Sequence, residues 1–275
     1  MFQDQHIVIT GGSSGLGLEL AHQLASEGAR LTLIARNHEK LENAQATLTA
    51  RHPKLSVLIR SVDVCNETEI TSVINDIAKD QQGIDILINS AGILREGYFE
   101  QLPMQDFRDV MEINFFGTIN AIRATLPHLK KSQGRIVNIA SMAGLTGIFG
   151  YTPYCSSKHA LVGLSESLRY ELKPSGVTVQ LVCPGEFDSP LVDELDRYRT
   201  DENRAHTLTI PKASVEKIAS DTLAEIQGKR FMITPGFMTR AAAFSVRHFA
   251  GVSRWMGDRI IQKAQKKNSD TRSRT

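Results

Sequence analysis

The feature that most constrains the fold of this 275-residue chain is a regular alternation of short apolar runs with longer amphipathic stretches. The apolar runs predict β-strands at residues 6–10, 30–35, 55–62, 84–89, 135–140, 177–182 and 231–234. Helical patterns separate them at residues 15–27, 39–50, 67–80, 104–125, 156–172 and 214–226. Because most of the runs are apolar throughout, we expect helices to cover both faces of their sheet. The pattern therefore predicts an α/β fold with a doubly wound, seven-stranded parallel sheet and right-handed crossovers.

Composition and charge limit the class of protein. The hydrophobic fraction of 41% and the charged fraction of 23% are those of a soluble globular protein, and a chain of this length can form one α/β domain. Residues 240–275 hold nine Lys or Arg against Asp258 and Asp270, a surplus of seven. Because the whole chain carries +2, the first 239 residues sum to minus five, which is no signature of a nucleic-acid-binding protein.

The cysteines indicate a reducing compartment. Cys65, Cys155 and Cys183 are odd in number, widely spaced and without a CxxC pair, so we expect neither a disulfide framework nor a metal site. Only five residues precede the first apolar run, and no apolar stretch approaches the length of a membrane-spanning helix. We therefore expect a cytoplasmic protein without a signal peptide or a spanning segment.

The first predicted strand runs into the glycine-rich segment TGGSSGLG, residues 10–17. Glycines in this segment permit a tight turn and let a ligand approach the backbone closely. The helix that follows offers unpaired N–H groups and the positive end of its dipole to a pyrophosphate. Placed between a strand and a helix, the segment is a candidate dinucleotide site rather than a flexible loop. Its candidate binding residues are Thr10, Gly11, Ser13, Ser14, Gly15, Leu16 and Gly17.

The second predicted strand ends at Ala35 and is followed by Arg36. Folds that prefer NAD(H) usually carry a carboxylate at this point, where it binds the adenosine ribose. The guanidinium of Arg36 can instead bind a 2′-phosphate, although Arg36 could also be an ordinary solvated charge. The sequence therefore predicts NADP(H) as the preferred cofactor.

The ends of the next three strands add polar and small residues at the same edge of the sheet, where ligands of such folds bind. Asp63 could accept a hydrogen bond from the adenine amine, and the small residues of NSAG leave room for the cofactor. Taken singly, such residues are also common in turns. The candidates are Asp63 and Val64 after the third strand, Asn89, Ala91 and Gly92 after the fourth, and Ser141 after the fifth.

Tyr154 and Lys158 are four residues apart in YTPYCSSKHA, residues 151–160. On a helix both side chains lie on one face, and a nearby ammonium favours ionisation of a phenol. Tyr154 is therefore a candidate proton donor. Tyr151 has no lysine four residues later, and we assign it to the lining of the site.

Together these motifs resemble those of the short-chain dehydrogenase/reductase family, over about residues 6–235. The glycine motif of the family is matched at Gly11, Gly15 and Gly17, and its N-A-G element at Asn89, Ala91 and Gly92. Its four catalytic residues are matched by Asn114 in EINFFG, Ser141, Tyr154 and Lys158, and its P-G element by Pro184 and Gly185. Two positions depart from the pattern, Ser90 where many members have a second Asn and Ser189 where Thr is more usual.

The resemblance implies a Rossmann-type, dinucleotide-binding catalytic domain over residues 1–236 and hydride transfer between NADP(H) and a small-molecule carbonyl or alcohol substrate. Tyr154 would give a proton to the carbonyl oxygen, and Ser141 would stabilise the charge that develops there. Lys158 would lower the pKa of the phenol and bind the nicotinamide ribose, while Asn114 would hold a water that connects Lys158 to solvent. The family also implies a homodimer or homotetramer, packed through the helices that contain Asn114 and Tyr154.

Substrate contacts are expected from residues 93–98, 142–151 and 186–211. The apolar segment GLTGIFGY, residues 144–151, favours a lipid-like or bulky carbonyl compound, although it could merely pack against a lid. Residues 237–275 are predicted to form a helical, basic amphipathic extension, either part of the same domain or peripheral to it. It could cover the substrate mouth, pack on a second subunit or contact an anionic membrane peripherally.

The extension, ITGGSSGLG and LIARN are most similar to the 3-ketodihydrosphingosine reductase branch of the family. This resemblance implies reduction of a 3-ketosphinganine-type long-chain ketone with NADPH. A 3-oxoacyl thioester reductase and a hydroxysteroid-type dehydrogenase remain alternatives. An extended-type epimerase or dehydratase is disfavoured by the glycine spacing and the chain length. A non-catalytic cofactor-binding scaffold is a remote alternative, because all four matched catalytic residues are intact.

Overall fold

Seven parallel strands form one sheet in a computed structural model of the chain, which describes residues 2–53 and 55–272. The strands are β1 (His6–Thr10), β2 (Arg30–Ala35), β3 (Val57–Ser61), β4 (Ile86–Asn89), β5 (Arg135–Ile139), β6 (Thr178–Val182) and β7 (Met232–Ile233). Their order in the sheet is β3-β2-β1-β4-β5-β6-β7, so the direction of winding reverses between β1 and β4. The predicted doubly wound sheet is confirmed, and its ligand crevice lies at the carboxyl ends of the strands around this reversal.

Eleven helices are present among the described residues. They are α1 (Gly15–Ser26), α2 (His38–Arg51), α3 (Glu67–Asp80), α4 (Met104–Met111), α5 (Gly117–Ser132), α6 (Thr152–Leu172), α7 (Pro190–Leu195), α8 (Asp201–Thr207), α9 (Val215–Ile226), α10 (Phe237–His248) and α11 (Ala250–Arg272). A π-helical turn (Glu112–Phe116) joins α4 to α5, and short 3₁₀ turns occupy Met142–Gly144 and Lys173–Ser175.

Hydrophobic cores lie on both faces of the sheet. Ile7 and Ile9 of β1 pack on one face with Leu20 of α1, whereas Val8 packs on the other face with Ile74 of α3. All five side chains are fully buried, and each such burial contributes about 1.5–3 kcal/mol. These two layers explain why the strands are apolar at successive positions, and they fix the strand ends that carry the site.

Three helical regions differ from the sequence prediction. The helix expected at residues 104–125 is divided by the π turn and continues to Ser132. The helix expected at 156–172 begins at Thr152, with Pro153 in its first turn, where a fixed φ is favourable. Helices α7 and α8 were not predicted, because segments of six and seven residues are too short to show a helical period.

The predicted extension, residues 237–275, contains α10 and α11; residues 273–275 lie outside the described part of the chain. Helix α11 packs against α8, which brings the extension over the carboxyl ends of the strands. No helix within residues 2–53 and 55–272 is both long and apolar enough to cross a membrane.

Candidate active site

The glycine-rich segment turns sharply at the end of β1. Gly11 and Gly15 have φ of +69° and +53°, a region that favours glycine. A Cβ on Gly11 would lie 2.7 Å from the Ala91 nitrogen, and a Cβ on Gly17 would lie 2.5 Å from the Gly11 oxygen. The glycines therefore let β1, α1 and the loop after β4 meet without side chains between them.

The amino terminus of α1 is left open. Its N-cap residue, Ser14, makes no side-chain capping hydrogen bond. The N-cap residues Asn37 of α2 and Asn66 of α3 do cap their helices, each by accepting a hydrogen bond from a first-turn N–H group. The first N–H groups of α1 are thus available to an anionic ligand, as the sequence predicted for a pyrophosphate.

Arg36 and Asp63 meet where β2 and β3 end. Nη1 of Arg36 lies 3.6 Å from Oδ2 of Asp63, and the two side chains are 59% and 39% exposed. Next to them, the Val64 carbonyl accepts a hydrogen bond from Nδ2 of Asn120 at 3.0 Å. Because an exposed ion pair contributes only about 0–1 kcal/mol, the Arg36 guanidinium can turn to another anion at small cost.

Thr10 and Asn89 hold the strand ends together rather than lining the crevice. The Thr10 hydroxyl accepts hydrogen bonds from the N–H groups of Ser90 and Ala91 at 3.3 and 3.4 Å. Nδ2 of the buried Asn89 donates to Oδ1 of Asn138 at 2.9 Å. Both residues therefore fix the geometry of the loop after β4.

Asn114 lies in the π turn and is completely buried. Its Nδ2 donates to the Ile93 carbonyl at 2.9 Å and to the Ser157 hydroxyl at 3.0 Å, and its Oδ1 accepts from the Ile93 N–H at 2.8 Å. These bonds tie the loop after β4 to α6. A Cβ on Gly92 would lie 3.1 Å from Oδ1 of Asn114 and 3.8 Å from Nζ of Lys158, so both side chains reach one corner of the site.

Tyr154 and Lys158 lie on the first two turns of α6, on the face that looks toward Ser141 after β5. Nζ of Lys158 lies 5.6 Å from the Tyr154 ring centroid and donates to the Ile139 carbonyl at 2.8 Å. Oγ of Ser141 accepts from the Ala143 N–H at 3.1 Å, which orients the hydroxyl. The structure thus brings three of the four predicted catalytic residues to one cavity wall.

Burial controls the pKa values of this group. It raises the pKa of Tyr154 to about 12, and the neighbouring Ser141 hydroxyl opposes the rise. It lowers the pKa of Lys158 to about 8, because the ammonium loses its hydration. The sequence predicted that Lys158 lowers the pKa of the phenol. In the structure burial raises the Tyr154 pKa instead, and the side chain that lowers it is Ser141 rather than Lys158.

These residues share a cavity of about 570 Å³. The predicted site residues that line it are Gly11, Ser14, Gly15, Leu16, Ala91, Gly92, Ser141, Tyr154, Lys158, Pro184 and Gly185. Those outside its lining are Thr10, Ser13, Gly17, Arg36, Asp63, Val64, Asn89 and Asn114. Most of the second set support the strand ends, and Arg36 and Asp63 lie at the outer ends of β2 and β3.

The far side of the cavity is built by segments distant in sequence. Leu94, Ile148 and Tyr151 come from two of the predicted substrate segments, and Glu186 to Val192 and His206 to Ile210 supply much of the third. The extension adds Met238, Ala241, Ala242, Ser245 and Val246 from α10, and Ser253, Met256, Gly257 and Ile260 from α11. Of the three placements open for the extension, covering the substrate mouth is the one that these contacts match.

A buried ionic cluster holds this wall in place. The Arg199 guanidinium is fully buried, contacts Glu186 at 2.5 and 3.0 Å and Asp196 at 3.0 Å, and also donates to Thr207. Lys212 adds a contact to Asp196 at 2.9 Å. This cluster was not predicted, since its only signal in the sequence is the density of charges between residues 186 and 212.

The residues present fit a nicotinamide dinucleotide. The glycine cradle has no room for side chains, and the open α1 terminus provides unsatisfied N–H groups for a pyrophosphate. Arg36 and Asp63 lie at the neighbouring strand ends, and Tyr154 and Lys158 lie across the cavity from α1. Adenosine, pyrophosphate and nicotinamide groups would thus find matching partners in that order along the crevice, beside Arg36 and Asp63, at the α1 terminus and beside Tyr154 and Lys158.

Comparisons with known proteins agree with this geometry. A family model described as short chain dehydrogenase matches residues 5–200. The 3-ketodihydrosphingosine reductase of Mus musculus is 36% identical over 228 residues, covering 81% of this chain and 69% of the mouse protein.

Two solved structures share the fold. A short chain dehydrogenase from Burkholderia cenocepacia J2315 in complex with NADP has a TM-score of 0.77 and 26% identity, covering 92% of this chain and 96% of that one. A short chain dehydrogenase/reductase from Burkholderia phymatum in complex with NAD has a TM-score of 0.80 and 25% identity, covering 91% and 95%. Both contain a nicotinamide dinucleotide, which is NADP in the first structure and NAD in the second. With its motifs, sheet order and relatives in agreement, this chain belongs to the short chain dehydrogenase family, as an oxidoreductase that takes a nicotinamide dinucleotide.

Proposed function

We propose that this protein is an NADPH-dependent reductase that converts a long-chain ketone of the 3-ketosphinganine type to a secondary alcohol. The observation that carries the proposal is the convergence of Ser141, Tyr154 and Lys158 on the same cavity as the open end of α1. A proton donor and an anion site in one crevice are what carbonyl reduction by a dinucleotide requires.

Tyr154 supplies the proton in this reaction. The bound cofactor provides a hydride for the carbonyl carbon. Ser141 and Tyr154 hold the carbonyl oxygen, and Tyr154 gives its proton to that oxygen, so one hydride and one proton convert the ketone to the alcohol. A pKa of about 12 keeps Tyr154 protonated at neutral pH, as a donor must be.

Lys158 and Asn114 support Tyr154. The Lys158 ammonium, held by the Ile139 carbonyl, offsets the negative charge left on the phenolate after proton transfer. Both amide hydrogens of Asn114 are used by Ile93 and Ser157. A water that connects Lys158 to solvent would therefore bind an oxygen atom of Asn114, not its amide nitrogen.

The preference for NADPH rests on Arg36. The end of β2 carries a guanidinium where a carboxylate would select NADH, and its ion pair with Asp63 is exposed and weak. The 2′-phosphate of NADPH offers Arg36 a stronger, charge-assisted partner.

A thermal-shift comparison tests this preference. At equal concentrations NADPH should raise the melting temperature more than NADH, because stabilisation grows with the ratio of ligand concentration to Kd. Arg36→Asp should remove the difference. Arg123→Asp is the matched control, since Arg123 also forms an exposed 3.6 Å ion pair, with Glu67 on α3. A larger shift with NADH in the wild type would contradict the proposed cofactor.

The long-chain substrate is supported by the wall of the cavity and by the relatives. Ile148, Leu191, Ala242, Val246 and Ile260 present apolar surface beyond Tyr154. Such a lining favours an acyl chain over a small hydrophilic carbonyl compound. The relative from Mus musculus carries the name 3-ketodihydrosphingosine reductase.

A substrate screen with NADPH decides between the candidates. The screen compares long-chain ketones, 3-oxoacyl thioesters and ketosteroids. We expect the long-chain ketones to give the highest kcat/KM. A preference for either of the other two classes would assign the corresponding alternative, a 3-oxoacyl thioester reductase or a hydroxysteroid-type dehydrogenase. If no ketone supports NADPH oxidation, the alternative of a non-catalytic cofactor-binding scaffold would be favoured instead.

Assembly and compartment complete the proposal. We expect a homodimer or homotetramer packed through α4–α5 and α6, which expose Phe116 at 46% and Tyr170 at 70%. Light scattering of the purified chain measures this, and a monomeric mass would contradict it. Cys65, Cys155 and Cys183 are free thiols, which supports a reducing, cytoplasmic setting.

A further inference from the structure

Helices α10 and α11, called here the tail helices, present two chemically different faces. Met238, Ala242 and Ser245 of α10, and Ser253, Gly257 and Ile260 of α11, line the cavity. The opposite faces look away from the cavity. The tail helices therefore form a wall only one helix thick between the substrate site and the surroundings of the protein.

The outward faces carry large apolar side chains. On α10, Phe237 is 81% exposed and Phe244 is 59% exposed. On α11, Val252 is 55% and Trp255 is 57% exposed. Within each helix these residues are spaced so that they share one face, which is unusual for a surface that meets only water.

The exposed surface of the tail helices is also strongly basic. Over residues 237–268 the tail helices carry seven exposed basic residues against the single acid Asp258. The basic residues are Arg240, Arg247, Arg254, Arg259, Lys263, Lys266 and Lys267. Arg240 also contacts Glu225 of α9 at 2.9 Å, and the Arg259 guanidinium lies 5.2 Å from the Trp255 ring. Aromatic residues flanked by Arg and Lys match the boundary between anionic headgroups and acyl chains.

We propose that the outward face of the tail helices docks on an anionic lipid bilayer and so places the cavity wall against the acyl-chain region. A second copy of this chain fits the face less well, because a symmetric pair would bring two strongly basic surfaces together. A nucleic acid would match the charge and leave Phe237 and Phe244 without an apolar partner. The docking does not depend on the proposed reaction, so vesicle binding and ketone reduction can fail separately.

Trp255 is the only tryptophan of the chain and lies on this face, so its fluorescence reports docking directly. We expect full-length protein to sediment with vesicles of phosphatidylcholine containing a minority of phosphatidylglycerol, with a shift of emission to shorter wavelength. Vesicles of phosphatidylcholine alone should bind weakly, and added salt should release the protein from the anionic vesicles.

Two variants test which residues dock. Phe237→Ser with Phe244→Ser should weaken vesicle binding about tenfold or more, since interfacial burial of large aromatic rings is lost. Arg247→Glu with Lys263→Glu should weaken it in anionic vesicles and leave the apolar residues intact. Phe99→Ser, which removes a ring that is 68% exposed in the loop between β4 and α4, is the control and should bind as the wild type does.

Three results would overturn the proposal. One is no sedimentation and unchanged Trp255 emission with anionic vesicles. Another is undiminished binding by both tail variants, with NADPH thermal shifts showing that they are folded. The third is Trp255 emission that shifts with protein concentration and with a doubling of mass in the absence of lipid, which would assign the face to a second copy.

Discussion

Tyr151 and Tyr154 show how position decides the chemistry of two identical side chains. Their ring centroids lie 5.7 Å apart, both line the cavity, and burial raises the pKa of both phenols. Only Tyr154 is next to Ser141 and one turn before Lys158. The neighbouring hydroxyl and ammonium therefore distinguish a proton donor from a lining residue.

Tyr154→Phe should reduce kcat for ketone reduction by about 10²–10⁴-fold, because it removes the positioned acid and little volume. NADPH should still raise the melting temperature of the variant. Tyr151→Phe is the matched control and should stay within a few-fold of wild-type kcat. Equal losses in the two variants would show that ring packing, not proton donation, sets the rate.

Lys158 should make stability depend on pH in a defined direction. Its pKa is about 8 in the folded chain and about 10.5 for an unburied lysine, so between these values the unfolded chain binds more protons. The free energy of unfolding of the wild type, relative to Lys158→Met, should therefore rise with pH across this window, by up to about 3 kcal/mol. Urea denaturation of both proteins without cofactor measures the difference, and a flat or falling difference would contradict the lowered pKa.

For single residues, the sequence predicts side-chain contacts between positions that are close along the chain. It does not predict contacts between positions that are far apart in sequence. The four-residue spacing predicts that Tyr154 and Lys158 share a face. It does not predict their pKa values, since these depend on burial under strands and loops from elsewhere. The contact of Arg36 with Asp63 joins two strand ends and likewise has no local signal.

At the scale of elements, the π turn shows a tertiary requirement that overrides a local pattern. Residues 112–116 contain no proline or glycine, and their apolar spacing predicts an uninterrupted helix. In the structure Asn114 reaches both Ile93 and Ser157, which an extra residue in the turn permits. The π turn could not be predicted from the sequence, because Ile93 and Ser157, the hydrogen-bond partners of Asn114, lie in other elements.

The cluster around Arg199 should decide whether the segment holding α7 and α8 is ordered. Arg199→Met would leave Glu186 and Asp196 without their buried partner, and we expect a loss of about 3–5 kcal/mol in stability. Hydrogen exchange in residues 190–207 should accelerate, and KM should rise more than kcat falls.

Arg204→Met provides the matched control for this prediction. Arg204 is 45% exposed and lies 3.7 Å from the same Asp196, so its removal should cost less than about 1 kcal/mol. Equal effects of the two substitutions would contradict the inference that the buried Arg199 guanidinium orders the segment holding α7 and α8.

At the scale of the whole molecule, the cavity is assembled from the first and last parts of the chain. The cofactor end uses Gly11 to Leu16, whereas the far wall uses α10 and α11. The length of substrate that fits is therefore set by residues more than two hundred positions away from the glycine motif.

Ala242→Phe should narrow the far end of the cavity without touching the catalytic group. We expect kcat/KM for a long-chain ketone to fall about tenfold or more and that for a short ketone to change little, since a pocket discriminates by the methylenes it can hold. Ala243→Phe is the control, because Ala243 is adjacent and outside the cavity lining. Equal losses on short and long ketones would contradict a size filter in α10.

The sheet and the far wall differ in how well the sequence predicts them. Seven strands and the glycine cradle follow from apolar runs and turn residues within a few positions of one another. The far wall depends on where α8, α10 and α11 pack, and the extension alone is compatible with several partners. Its amphipathic spacing indicates helices, but only tertiary contacts decide which face meets the cavity.

The π turn also determines what a change of chain length in this region would do. A π turn takes up one extra residue within a single turn, so loss of one residue from Glu112–Phe116 would leave a regular α-helix with α4 and α5 in nearly the same relative orientation. The apolar stripe of α5 would still face the strands, whereas Asn114 would lose the bulge that lets it reach both Ile93 and Ser157. A one-codon deletion at this point should therefore be compatible with folding and disrupt the hydrogen bonds of Asn114 selectively.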